Sequence, residues 1–257
     1  MTLPRPSEPH PRRRVGQVKS AEPLVVERAL VVVAHPDDVD FGAAGTIATW
    51  VEAGIAVTYC LVTDGDAGGF DDTPRAQMPA LRRAEQVAAG AVLGVSDVRF
   101  LGYPDGRVYP THELRRDISR LIRQVRPQRL LTQSPERVWA RLGASHPDHR
   151  ATGVATVDAV YPDARNPFAH PELLTDEGLG AWTVRELWLM GSPTPDHYID
   201  VTDTFDRKVA ALREHVSQTS HMDDLEGLLR GWATRNAGDA GLTTGRLAEA
   251  FQLVSLH

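Results

Sequence analysis

Six consecutive apolar residues, Ala29-Leu30-Val31-Val32-Val33-Ala34, run directly into His35-Pro36-Asp37-Asp38-Val39-Asp40. A continuous, β-branched run of this length fits a strand buried on both faces, as in a parallel sheet covered by helices on each side. Parallel neighbours need crossover connections, and the chain supplies them. A polar loop over 35–42 precedes a helix-like stretch over 43–53 that ends at Gly54, and a second strand follows over 55–63. That is a βαβ unit.

The alternation continues. The spacing predicts a helix over 75–93, with Leu81, Ala84, Val87, Ala88, Ala91 and Val92 on its buried face. A strand over 97–101, a helix over 112–126 and a strand over 129–133 come next. Residues 162–181 read as a long loop, 184–190 and 197–201 as strands, and 203–217 as a helix. The fold class is therefore α/β, a three-layer sandwich with a mostly parallel, Rossmann-like sheet.

A chain of 257 residues fits one such domain, here over 28–257. Residues 1–27 are rich in Pro and Arg, lack an apolar core, and read as a disordered tail rather than a secretory signal. With no apolar stretch of spanning length, the expected location is the cytoplasm. The net charge of −6 gives no global pull toward nucleic acid. The expected partner is a small N-acylated molecule, with no nucleic acid and no membrane, and the single domain is compatible with a homo-oligomer. The lone Cys60 lies inside the apolar run 57–62, so it reads as a small core residue.

Chemistry concentrates in two short motifs. His35-Pro36-Asp37-Asp38-Val39-Asp40 follows the first strand, where open parallel sheets place their ligands. Three carboxylates in six residues do not suit a core. Ser145-His146-Pro147-Asp148-His149-Arg150 follows a strand and a loop; Pro147 suits the first turn of a helix and Ser145 can cap it. Either motif alone is compatible with Asp turns and a helix cap. The pair supplies imidazoles and carboxylates but no sulfur, and two His with one carboxylate are a common set for catalytic zinc. Zinc brings the pKa of a coordinated water to about 7. The spacing does not decide which of these residues touch the metal.

The motifs resemble the PIG-L/LmbE family of zinc-dependent de-N-acetylases. The likeness rests on His35 to Asp38 with Phe41-Gly42-Ala43-Ala44-Gly45-Thr46, then Thr63-Asp64-Gly65-Asp66-Ala67-Gly68. Arg82 and Glu85, Leu93-Gly94-Val95, Leu101-Gly102-Tyr103-Pro104-Asp105-Gly106 and His146-Pro147-Asp148-His149 follow in order. Asp200-Val201-Thr202-Asp203, Lys208, Ala211, His215 and Gln218 complete it, so the likeness spans about 28–218.

The resemblance implies Zn²⁺ held by His35, Asp38 and His149, with Asp37 as general base. It implies that His146 steadies the oxyanion or protonates the leaving amine, that Asp148 orients His146, and that Arg82 and Asp105 bind the sugar or its attached group. The implied activity is removal of an N-acetyl group from an amino sugar or small glycoside. An amidase acting on a thiol conjugate or an acylated natural product is the alternative. The loops at 66–80, 103–111 and 162–182 are expected to set the choice of substrate. Two positions depart from the family: Asp40 replaces the usual Glu, and Ala144 stands where some members carry Tyr. A binding protein without turnover has no need of Asp37. A dinucleotide fold would need a Gly-rich turn where His35 to Asp38 stand.

Overall fold

The computed structural model describes residues 24–70 and 72–256. Residues 1–23 of the expected tail lie outside the described residues, and 24–27 carry no regular structure. Five parallel strands form most of the sheet: β1 Arg28–Val33, β2 Ala56–Thr63, β3 Asp97–Tyr103, β4 Arg129–Gln133 and β5 Glu186–Met190. Two antiparallel strands, β6 His197–Asp200 and β7 Ala248–Ser255, complete the order β3-β2-β1-β4-β5-β7-β6.

β1 reads as an unbroken apolar run because both of its faces are covered. Ala29, Val31 and Val33 pack on one side, with Val39, Ala43 and Ile47 of helix α1 (Asp38–Glu52) and Ala89 and Leu93 of α2 (Met78–Leu93). Leu30 and Val32 pack on the other, with Leu114, Ile118 and Ile122 of α3 (His112–Val125) and Ala155 of α4 (Pro147–Asp158). The remaining helices are α5 Pro171–Thr175, α6 Phe205–Glu214, α7 Val216–Thr219 and α8 Leu225–Asp239. Cys60 is buried in the core, and burial pushes its thiol up to about 12.

Several local expectations are corrected. α1 begins at Asp38, not near 43, so Asp38 and Asp40 of the motif lie in its first turn and His35 to Asp37 lead into it. Acidic residues there complement the helix dipole, although their polarity reads as loop. The buried face of α2 is turned from the expected one. Arg82, Glu85, Gln86, Ala89 and Leu93 are buried, whereas Val87 is half-exposed. The polar members bury because specific partners satisfy them. The helix expected over 203–217 breaks at His215 (φ −81°, ψ 59°), and the loop expected over 162–181 contains α5.

A buried ion pair braces α1 one turn beyond its start. The Lys208 ammonium donates to Glu249 Oε1 (2.5 Å) and to the Phe41 carbonyl (2.8 Å). Glu249 accepts from the Gly45 and Thr46 amides at 3.1 and 2.7 Å. Removing one partner leaves a buried charge unpaired, so Lys208→Met is expected to cost about 3–5 kcal/mol of stability. The denaturation midpoint in urea reads this directly; a midpoint equal to wild type would mean the pair is energetically idle.

Candidate active site

The site forms where the strand order reverses, because β1 has β2 on one side and β4 on the other. A crevice opens there beyond the carboxyl ends of the strands. The Ala34 amide donates to Gln133 Oε1 (3.0 Å), tying the end of β1 to the end of β4. The chain then turns sharply. The His35 amide donates to Asp38 Oδ2 (2.7 Å), and Asp37 takes a left-handed conformation with φ 89°.

The second motif arrives on α4. Pro147 is its first residue, as its fixed φ favours. The cap is His146 rather than Ser145: His146 Nδ1 accepts from the Asp148 amide (3.2 Å), while Ser145 Oγ accepts from the Val138 amide (2.7 Å). Close seating of α4 on the end of β4 requires Gly153, since a Cβ there would overlap the Gln133 carbonyl oxygen.

These turns bring three expected metal ligands face to face. His35 Nδ1 lies 3.2 Å from His149 Nε2 and 3.3 Å from Asp38 Oδ2, and His149 Nε2 lies 2.9 Å from Asp38 Oδ1. Tetrahedral ligands about 2.0–2.2 Å from an ion stand roughly 3.3–3.6 Å from one another, so the trio fits such an ion with small adjustment. The other nitrogen of His35 meets Asp105 Oδ1 (3.1 Å) and Asp148 Oδ2 (3.3 Å). A carboxylate on the far nitrogen is the usual support of a ligating histidine. Among the described residues, His35 also groups with His146 and His149, and with Asp105 and Asp148, at metal-binding separations.

The electrostatics fit a cation. Burial opposes a proton on His35, yet Asp38, Asp105 and Asp148 outweigh it and push its pKa up to about 12. Burial also works to raise Asp38, but His149 and His35 hold its carboxyl well below the usual range. Burial pushes the Asp37 carboxyl up to about 6, against the pull of the Arg82 guanidinium. Burial lowers His146, assisted by His35 and His149.

Residues 30–160 match the family described as PIG-L, GlcNAc-PI de-N-acetylase. The chain belongs to this family. Diacetylchitobiose deacetylase of Thermococcus kodakarensis is 32% identical over 194 residues, which cover 75% of this chain and 70% of the relative. A probable N-acetyl-alpha-D-glucosaminyl L-malate deacetylase 2 of Bacillus cereus is 33% identical over 201 residues, covering 75% of this chain and 84% of the relative. The solved N,N'-diacetylchitobiose deacetylase of Pyrococcus horikoshii has a TM-score of 0.82 and 28% identity, covering 90% of this chain and 84% of its own. Membership makes the protein an N-deacetylase, a hydrolase of amide C–N bonds.

Within this de-N-acetylase, three of the expected site residues make contacts that the sequence does not show. The Asp148 carboxylate faces His35 and accepts from the Gly106 amide (2.7 Å); only its backbone touches the His146 ring. Asp105 accepts from the Ala67 amide (3.1 Å) and meets His35, so it braces a candidate ligand. Arg82 is 4% exposed and donates to the Pro36 carbonyl (2.6 Å), the Gly65 carbonyl (3.2 Å) and Asp37 Oδ2 (3.1 Å). Its guanidinium packs against Gly65, where φ is +68° and a Cβ would overlap it. Both Nη atoms of Arg82 are thus engaged, Nη2 on the loop that carries Asp37 and Nη1 on Gly65, while its buried Nε has no partner among the described residues.

Asp148→Asn removes the charge behind His35 and is expected to weaken metal binding about tenfold to a hundredfold. A metal-binding titration checks this, and affinity equal to wild type would remove Asp148 from the support of the site.

A cavity of about 380 Å³ opens beside Asp38 and His149, within the range of small-molecule sites. Phe41, Met190 and Trp232 give it an apolar wall, and Arg141 lines it too. None of these four lies in the three loops expected to set substrate choice. Trp232 comes from α8, which carries no chemical motif, and nothing in the local sequence points to it. Gln86 has no place in either motif; its only sequence signal is the polar run Arg82, Glu85 and Gln86 on one face of α2, whereas His215 belongs to the family likeness without a role there.

Among the described residues, no helix is long and apolar enough to cross a membrane.

Proposed function

We propose that this de-N-acetylase is zinc-dependent and removes the N-acetyl group of an amino sugar within a small glycoside. His35, Asp38 and His149 hold the zinc, and Asp37 is the general base. The convergence of their three donor groups at 2.9–3.3 Å, with His35 backed by two carboxylates, carries this reading. The substrate class follows from relatives named for chitobiose and for a glucosaminyl malate. Zinc, when bound, supplies Lewis acidity toward water and the amide carbonyl.

The chain's own residues do the rest. Arg82 fixes Asp37 Oδ2 at 3.1 Å, so its carboxylate is oriented to accept the proton of the attacking water. The water oxygen bonds to the carbonyl carbon. His146 accepts at Nδ1 from the Asp148 amide, so the neutral ring carries its proton on Nε2. That N–H donates to the oxyanion as it forms, which requires no charged imidazole. The C–N bond then breaks as the nitrogen takes up the proton held by Asp37, and acetate and free amine leave. The apolar wall beside Asp38 and His149 faces the group attached to the amino sugar.

The test combines metal analysis with a panel of N-acetylated sugars and glycosides, scored for free amine. About one zinc per chain is expected in wild type and much less in His149→Ala, with amine released from at least one N-acetylglucosaminide. Equal zinc in His149→Ala would remove that ligand. Release of amine only from non-sugar amides would overturn the substrate class.

A further inference from the structure

Asp37 carries the proposed chemistry on a strained backbone. Its φ of 89° is uncommon for any residue but glycine, and it persists only where surroundings impose it. As the cap residue of α1, Asp37 has an N–H outside the helix ladder, so this donor needs an acceptor from another element. Gln86 of α2 provides it: Gln86 Oε1 accepts from the Asp37 amide at 2.9 Å. The opposite end of the same side chain, Nε2, donates to Asp40 Oδ2 at 2.8 Å. His215 Nε2 meets that same oxygen, also at 2.8 Å. Gln86, Asp40 and His215 are each 0% exposed.

The chemistry of the three groups allows one direction. A backbone N–H only donates and an ionised carboxylate only accepts, so the Gln86 amide has a single orientation between them. His215 is fixed in turn at the break between α6 and α7. The next residue but one, Ser217, donates its amide and hydroxyl to Glu85 at 2.7 and 2.6 Å. Glu85 precedes Gln86 on α2, so the loop that aims His215 is bolted to the helix that carries Gln86. The shorter acid at position 40 therefore reaches these two partners rather than the reacting centre.

We infer that Gln86 is a positioning residue for Asp37, aimed by Asp40 and His215. This inference rests on Asp37 acting as the base. Gln86→Glu still offers an oxygen to the Asp37 amide but sets a carboxylate against Asp40. Adding Asp40→Asn reverses the polarity of the network: the new amide donates to Glu at 86 and to His215 Nε2, and an acceptor for Asp37 remains.

Kinetics on the N-acetyl substrate that wild type cleaves best, with bound zinc measured alongside, test it. Gln86→Glu is expected to lower kcat about a hundredfold, the scale of a misplaced reacting group. KM should stay within about threefold and zinc content at the wild-type level. The double variant Gln86→Glu/Asp40→Asn should regain at least about tenfold. A Gln86→Leu crystal structure adds a readout independent of turnover, in which Asp37 should leave the left-handed region. Wild-type kcat in Gln86→Glu, no recovery in the double variant, or Asp37 still at its positive φ in Gln86→Leu would each overturn the inference. A wild-type enzyme inactive on every amino sugar would instead sink the substrate reading, and the Asp37 backbone in Gln86→Leu would still decide this one.

Discussion

Asp37→Asn is expected to fold, to bind metal as wild type does, and to lose about 10²–10⁴-fold in kcat. Asn matches Asp in shape and keeps an oxygen for the Arg82 guanidinium, which lies 3.1 Å from Asp37 Oδ2. It cannot take a proton from water. His35, Asp38 and His149 approach one another at 2.9–3.3 Å without any contribution from Asp37, so metal content is the control that separates base from ligand. Loss of metal together with activity would make Asp37 a ligand and reopen the place of Asp38. The burial that pushes Asp37 up to about 6 adds a pH signature. The base works ionised, so activity falls as pH drops through its pKa, and that limb should be absent from the residual activity of Asp37→Asn.

Arg82→Ala is expected to reduce kcat/KM about a hundredfold on a sugar substrate and on a minimal acetamide alike. A sugar-binding arginine would spare the acetamide. The geometry predicts otherwise, because the Arg82 Nη atoms donate to Pro36, Gly65 and Asp37. Removing it frees the base and its loop, and a small misplacement of a reacting group costs on this order. The guanidinium also lowers the pKa of Asp37 against the effect of burial. Its loss raises that pKa, so the acid limb of the rate profile should move to higher pH. Equal limbs in the two enzymes, or an acetamide rate left intact, would return Arg82 to the substrate.

The order of strands and helices was legible because the two periods differ and because β1 and β2 carry the apolar runs of strands covered on both faces. β4 falls on 129–133 as expected. What the sequence could not show was which face a polar helix turns inward. Leu81, Ala84 and Val87 look like the core side of α2, yet Arg82, Glu85 and Gln86 are the buried ones. Apolar periodicity assumes that polar groups prefer water, and it fails where another element satisfies them.

The site divides in the same way. By itself the sequence determined the chemistry available: imidazoles and carboxylates in two motifs, each placed by a strand end or a helix start, because motif and local structure are encoded within a few residues. The tertiary structure alone decided the partners of those groups. Asp148 and Asp105 both turn to His35, Arg82 clamps Asp37, and Trp232 and Met190 wall the cavity. The cavity lining brings together residues as much as 194 positions apart, from Asp38 to Trp232. Such distances close only when β4 crosses beside β1 and α8 folds back over the sheet, so no local pattern carries them.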